Sequence, residues 1–312
     1  MRRILLAVSL PLVLLAAGCS DATQERQTPL TTALTPRVTE TVAVDDRQDA
    51  LTIASAALGR EAQVRVLKPA GWTKGSTGWP VLYLLHGCCE PTPDTWLTKG
   101  DAARVTEHLK AVVVVPEGGS GGWYADWLDG PAWETFHMKE VRALVEVLYG
   151  VGERRAVAGL SMGGHGAIGY AARNPGVFEA VASFSGVLDI RMDVPGFSSF
   201  LRDNGADPDK LWGPLPARED NWRAHNPADL ASQLTGLRLY VSSGNGEPGE
   251  LDEGGGTDFG EQSILRQNQR FLRAARLAGL TVETDLYGDG KHDWPYWTRA
   301  LERALPTLLP DA

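Results

Sequence analysis

"RRAVAGLSMGGHGAIGYAARNPG", residues 154–176, sets one serine among glycines, between a β-branched run and an alanine-rich run. The first run reads as a strand and the second as a helix, so Ser161 falls on a sharp strand-to-helix turn. Side chains two residues to either side of such a serine would collide with the adjoining strand and helix. Gly159 and Gly163 remove them, and Gly164 and Gly166 let the helix approach the sheet. The helix N-terminus aims backbone N–H groups and its positive dipole end at Ser161, which favours a developing negative charge there. G-x-S-x-G in this strand–turn–helix setting is a nucleophile elbow.

The surrounding sequence supplies the rest of a layered fold. "WPVLYLLHG" (79–87), "AVVVVPEGG" (111–119), "EAVASFSG" (179–186), "LRLYVSSG" (237–244) and "TVETDLYG" (281–288) are further apolar or β-branched runs closed by glycine. Continuous apolar strands are buried on both faces, as in parallel sheets. Helical spacing of apolar residues between them predicts helices over 138–148, 261–277 and 295–308. Strand–helix alternation predicts an α/β-hydrolase fold with a mainly parallel central sheet flanked by helices. Residues 189–233, rich in Pro, Gly, Asp and Trp, break the rhythm and read as a small irregular cap-like excursion.

A serine needs a base, and the base an orienting acid, in the chain order Ser, acid, His. Three histidines follow Ser161. His165 lies one turn along the elbow helix and reads as a packing residue. His225, in "WRAHNPADL", suits a cap or turn. His292, in "YGDGKHDWPYW", follows the last strand and precedes the last helix, where the base belongs. Six carboxylates after the 237–244 run could orient it: Glu247, Glu250, Asp252, Glu253, Asp258 and Glu261. The start of a helix favours an ionised carboxylate at Glu261, but position alone leaves the six open. The second oxyanion N–H is expected from "LLHGCCEP", on the backbone of Cys88, with Met162 as its partner. His86 reads as a support for that loop.

The 312 residues carry a net charge of −9 with no basic cluster, which excludes nucleic acid as an expected partner. The opening "MRRILLAVSLPLVLLAAGCSD" joins two arginines to a short apolar run and small residues before a cysteine. Residues 1–18 read as a lipoprotein-type signal peptide, with Cys19 as the lipidated residue, so the chain is expected to be exported and held at a membrane surface by a lipid anchor. Residues 19–45 read as a flexible tether, and 46–312 as the globular domain. Cys88 and Cys89 are adjacent, which leaves two small thiols or a vicinal disulfide as alternatives. No metal-ligand spacing or phosphate loop is present, so no cofactor and no metal are expected.

Further stretches, "VLYLLHG", "WYADW" (123–127), "WETF" (133–136), "GLSMGG", "SGNG" (243–246), "NQRF" (268–271) and "HDWPYW" (292–297), occur in this order. With them the chain resembles the esterase D superfamily of α/β-hydrolases, in its mycolyltransferase (antigen 85-type) branch. The resemblance implies Ser161 as nucleophile, His292 as base and the Cys88 and Met162 backbones as oxyanion donors. It also selects Glu261, seven residues before Asn268, as the acid, and places Trp294 beside the active site as a substrate-binding residue. Two positions depart from the branch. His86 stands where mycolyltransferases have an aspartate, and Cys89 where they have an arginine, both of which hold trehalose there. The expected function is therefore a serine ester hydrolase or acyltransferase acting on a small-molecule or lipid ester, with water or an alcohol as acceptor. Mycolyltransferase-like transfer to a sugar or lipid alcohol, and a non-catalytic cell-surface binding protein on the same scaffold, are the alternatives.

Overall fold

Alternate residues of the central strands feed two separate apolar cores, which is why these strands read as unbroken apolar runs. In the computed structural model, which describes residues 35–89 and 92–312, Val81, Tyr83 and Leu85 face one core and Leu82 and Leu84 the other. Val112 and Val114 likewise oppose Val113 and Val115. Burying one such side chain is worth about 1.5–3 kcal/mol, against about 1 kcal/mol net for a hydrogen bond. Two-sided burial therefore dominates the stability of this sheet.

The nine strands are β1 (Arg37–Ala43), β2 (Gln48–Ser55), β3 (Arg60–Leu67), β4 (Trp79–Leu85), β5 (Val112–Pro116), β6 (Val151–Leu160), β7 (Ala180–Phe184), β8 (Arg238–Gly244) and β9 (Glu283–Gly288). They form one sheet in the order β1-β2-β3-β5-β4-β6-β7-β8-β9. The first three pair antiparallel, as do β3 and β5; from β5 to β9 all pairing is parallel. Short helices α1 (Thr95–Thr98) and α2 (Ala102–Val105) follow β4, while α3 (Trp133–Thr135) runs through a π-helical turn into α4 (Arg142–Tyr149). The elbow helix α5 (Met162–Arg173) follows β6. Helices α6 (Val194–Asp203), α7 (Pro208–Leu211), α8 (Glu219–Ala224) and α9 (Pro227–Leu230) lie between β7 and β8; α10 (Phe259–Leu277) and α11 (Trp294–Leu308) flank β9. Ile264, Phe271 and Ala275 of α10 join Ala167, Ile168 and Ala171 of α5 in one core, and Ala300, Leu301, Ala304 and Leu308 of α11 fill the other. This is the expected α/β-hydrolase layering.

The strand order reverses at β4, whose two neighbours are β5 and β6. In an open parallel sheet the crevice at the C-terminal ends of such strands is where ligands bind. β4 delivers His86, Gly87 and Cys88 to that crevice, and β6 delivers Ser161.

The structure differs from the sequence reading at three places. Residues 37–43, expected within the tether, form β1; "RVTETVA" is an edge strand exposed or half-exposed at every position, so it has strand-forming residues but no burial pattern. β9 is parallel but mostly exposed, not buried on both faces, because it closes the other edge. The excursion is helical: Asp193 and Asp207 cap α6 and α7, and Pro falls at the first turn of α6, α7 and α9. Those prolines start helices instead of breaking them. The signal peptide, Cys19 and the earlier part of the tether lie outside the described residues.

Candidate active site

Ser161 occupies φ 52°, ψ −118°, a conformation that a residue with a side chain rarely adopts. Such strain costs about 1–3 kcal/mol and persists only where the surroundings fix it. Here Ser161 N donates to Phe184 O at 2.9 Å, and Ser161 O accepts from His165 N at 3.1 Å and from Val187 N at 3.3 Å. A Cβ on Gly159 would run into the Gly163 backbone, and one on Gly163 would sit 2.6 Å from His86 O. The glycines therefore let β6, α5 and the loop after β4 meet around the serine. Met162 opens α5, whose first backbone N–H groups have no acceptor within the helix.

Glu261 lies in the first turn of α10 and is fully buried. Its N–H is taken by the capping carboxylate of Asp258 at 3.0 Å, but its side chain does not reach back to the cap. It turns inward instead. Oε1 accepts from Ser185 Oγ (2.8 Å), Ser243 Oγ (3.0 Å) and Gly244 N (2.8 Å), and Oε2 lies 2.7 Å from His292 Nδ1. Ser185 aims its hydroxyl from a left-handed bend at the end of β7, φ 43°. Four donors surround this carboxylate and fix its position. Oε2 accepts as a carboxylate oxygen, so Nδ1 carries the proton and Nε2 keeps its lone pair, an assignment that rests on the hydrogen-bond network.

His292 sits between β9 and α11, its ring packed edge-on against Trp297 at 4.8 Å. Its backbone N–H donates to Asp258 Oδ2 at 3.0 Å. One aspartate thus ties the start of α10 to the histidine loop. Burial opposes the charge on Asp258, but hydrogen bonds from the His292 and Glu261 backbones outweigh it and hold the carboxyl below the usual carboxylate range.

The loop after β4 is anchored from below. His86 is fully buried; its Nε2 accepts from Gly118 N at 2.8 Å, so its Nδ1 carries the proton and donates to Gly87 O at 2.8 Å. Tyr124 Oη donates to His86 O at 2.8 Å, and Trp96 Nε1 to Leu85 O at 2.9 Å. A Cβ on Gly87 would sit 3.3 Å from Ser161 Cβ, so the loop passes directly over the serine. Cys88 and Cys89 follow, joined as a vicinal disulfide.

Ser161, His292, Cys88 and Cys89 line one cavity of about 500 Å³. Trp123, Val187, Ile190, Phe197, Phe200 and Ile264 form its apolar wall, and Asp189, Asp193, Ser263 and Gln267 its polar side. The larger part of the apolar wall comes from the excursion and the segment leading into it. The structure thus brings Ser161, His292 and Glu261 together with Cys88 and Met162. It does not bring Trp294 into this cavity. The Trp294 ring packs edge-on against Trp96 at 5.4 Å and Trp297 at 5.2 Å, in the apolar layer between α1 and α11.

Three other histidines and three other candidate acids have structural partners. Burial pushes His165 down to about 3, and its Nδ1 meets Val187 O at 3.0 Å. Burial likewise lowers His225 to about 4, beside Asn221 O, and His137 to about 4, between Tyr170 Oη and Glu117 O. Glu250 pairs with Arg299, Asp252 accepts from Tyr296 Oη, and Glu247 accepts from Thr257 and Gln262. Four positioning residues were missing from the sequence reading: Ser185, Ser243, Asp258 in this role, and Trp297. The D-x-x-E spacing of Asp258 and Glu261, a helix-start signature, was the available signal for Asp258.

Residues 55–308 match the family described as "Putative esterase". The chain is 29% identical over 278 residues to the diacylglycerol acyltransferase/mycolyltransferase Ag85B of Mycobacterium intracellulare, covering 83% of this chain and 81% of that protein. It is 33% identical over 244 residues to the esterase Rv1288 of Mycobacterium tuberculosis, covering 74% of this chain and 52% of that longer protein. Among solved structures, Mycobacterium tuberculosis MPT51 superposes with a TM-score of 0.70 at 24% identity, covering 82% of this chain and 95% of that one, a likeness of fold.

Proposed function

Because the chain belongs to the Esterase family and is an ester hydrolase or acyltransferase, we propose that it works through an acyl-enzyme on Ser161. The observation that carries this reading is the 2.7 Å contact of His292 Nδ1 with the buried Glu261 carboxylate, on a ring that lines the same cavity as Ser161. His292 Nε2 takes the Ser161 Oγ proton as Oγ attacks the ester carbonyl. Glu261 keeps the imidazole in the right tautomer and stabilises the imidazolium. The oxyanion rests on the Cys88 and Met162 backbone N–H groups; losing one such donor costs about 2.7–4 kcal/mol of transition-state stabilisation. The intermediate collapses, His292 returns the proton to the leaving alcohol, and the acyl group stays on Oγ. Water or another alcohol, deprotonated by His292, then releases it. The acyl group lies against Trp123, Phe197 and Phe200.

His86 and Cys89, the positions where the resemblance places a trehalose-holding aspartate and arginine, offer nothing equivalent. The His86 ring is turned inward and buried, with both nitrogens engaged, and the Cys89 sulfur is bonded to Cys88. This supports water or a different alcohol as acceptor. Export and lipidation at Cys19, supported by the sequence of residues 1–19, would put the site outside the cytoplasmic membrane.

The test is hydrolysis of p-nitrophenyl esters, with and without added alcohols and polyols, by the wild type and Ser161→Ala. Hydrolysis lost in the variant is expected, and a transfer product with an added alcohol would identify the acceptor class. Hydrolysis that survives in Ser161→Ala overturns the reading.

A further inference from the structure

Asp189, on the polar side of the catalytic cavity, also lines a second hollow of about 480 Å³, between α9 and the C-terminal half of α10. One face of α10 serves both. Ser263 and Gln267 line the cavity, and Arg270 and Ala274 line the hollow. Steps of three and four residues place these side chains on one side of the helix. At the junction Gln267 Oε1 accepts from Asp189 N at 3.2 Å.

Three arginines reach the hollow: Arg191, Arg270 and Arg273. Arg191 is taken up by Asp229, at 2.8 Å, and by Glu219. Arg270 gives only its Nε to Asp189 Oδ2, and the other oxygen of that buried carboxylate accepts from Asn226 Nδ2 at 3.0 Å. Asp189 therefore fixes the Arg270 guanidinium, while the side chain stays 61% exposed and its terminal nitrogens have no acceptor among the described residues. Arg273, one turn further, is exposed and forms no ion pair or hydrogen bond among the described residues. Both acids of the hollow are thus already paired, and guanidinium donors are left over. Arg266, Arg270 and Arg273 also stack like charges along α10, an arrangement that destabilises a helix by itself and that a bound anion relieves.

We propose that this hollow is a subsite for an anionic group, a carboxylate or a phosphate, on the alcohol portion of the ester substrate. The proposal rests on the acyl-enzyme reading and gives it a substrate class. The apolar wall takes the acyl group, so the alcohol portion runs along the polar side, past Ser263 and Gln267, toward Arg270 and Arg273. The planar guanidinium matches the paired oxygens of a carboxylate or phosphate. Asp189 holds one guanidinium in place beforehand, which lowers the cost of ordering it on binding. Ser263 and Arg270 are seven residues apart on α10, about 10 Å of helix rise. Only an alcohol portion of matching length joins the two sites.

The experiment uses the full chain and butyrate esters of ω-hydroxyalkyl carboxylates, phosphates and carboxamides of graded length, with butyrate release as the readout. The carboxamide has the shape of the carboxylate without its charge. For each length, kcat/KM of the anionic ester is divided by that of the carboxamide, at low and at high salt. In the wild type this ratio should show no preference for the shortest alcohols. It should rise to about 10 for those that span about 10 Å, the ordinary worth of a hydrogen bond to a charged group, and fall at high salt. Arg273→Gln should bring the ratio back toward one. Arg266→Gln removes the same charge from the same helix outside the hollow and should keep the ratio. The larger of the carboxylate and phosphate ratios identifies the group. A ratio near one at every length, a ratio that survives Arg273→Gln, or one that falls equally in Arg266→Gln overturns the proposal. Ester hydrolysis that survives Ser161→Ala refutes the acyl-enzyme reading beneath it, whereas Ser161-dependent hydrolysis indifferent to the anion refutes only the subsite.

Discussion

Replacing Glu261 by Gln keeps the shape of the carboxylate and removes its charge, and the three donors on Oε1 dictate how the new amide sits. If the amide nitrogen faced them, the buried Gly244 N–H would meet another N–H and lose its acceptor, a penalty of about 1–3 kcal/mol. The amide oxygen therefore takes the place of Oε1, with Ser185, Ser243 and Gly244 N still bonded. The amide NH₂ must then face His292 Nδ1, 2.7 Å from the former Oε2. Nδ1 can only accept, so the imidazole proton moves to Nε2, the atom that must receive the serine proton. A histidine in the wrong tautomer lowers kcat about 10⁴-fold in a serine protease triad, with geometry intact. Glu261→Gln should therefore lose about 10⁴ in kcat against p-nitrophenyl esters, keep its KM within about fivefold, and unfold within a few degrees of the wild type. Kinetics at several pH values and a thermal melt on the same sample give the answer. A folded Glu261→Gln enzyme within about tenfold of wild-type kcat would refute the orienting role of Glu261.

Asp258→Ala should act in two ways. Loss of the α10 cap costs about 1 kcal/mol of stability, and loss of the His292 N–H acceptor lowers kcat more than it raises KM; a variant with a lower melting point but unchanged kcat would show that Asp258 only caps the helix. Phe197→Ala and Phe200→Ala open the apolar wall, so relative kcat/KM should move toward bulkier or longer acyl groups by about 10-fold in a p-nitrophenyl ester series, consistent with about 1–3 kcal/mol for a small apolar change; an unchanged ranking places the acyl group elsewhere. Burial lowers His165 to about 3 and His137 and His225 to about 4, whereas the unfolded chain protonates histidine near 6.5. The unfolded state then binds more protons, so this part of the stability is intact above about pH 6.5 and is lost progressively as pH falls through about 4 to 3. Urea midpoints measured across that window should fall with pH, and a flat profile would mean that these rings are not held neutral.

Much of this protein was legible because its chemistry depends on short-range geometry. Ser161 declared itself through glycines whose absent side chains are visible in the sequence, and the central strands through two-sided burial. His292 was placed by chain order. The proposed acid was harder: six carboxylates share one segment, and position left them open until the resemblance selected Glu261, whose side chain turns inward onto Ser185 and Ser243, residues from two other strand ends. Strand β1 was hidden because an exposed edge strand has no buried face to read. The excursion looked irregular because proline and aspartate at helix starts resemble loop composition when taken without spacing. Trp294 shows the limit of a motif: the resemblance made it a substrate-binding residue, whereas its ring packs against Trp96 and Trp297 in the apolar layer between α1 and α11.

The most direct test is to trap the acyl group. The full chain is mixed with a p-nitrophenyl ester, quenched in acid within the first turnover, digested, and mapped by peptide mass. The account predicts one acyl adduct, on the peptide containing Ser161, that accumulates when deacylation is slow and is absent from Ser161→Ala. Ester turnover that proceeds with no adduct on that peptide, or with the adduct on another residue, contradicts it.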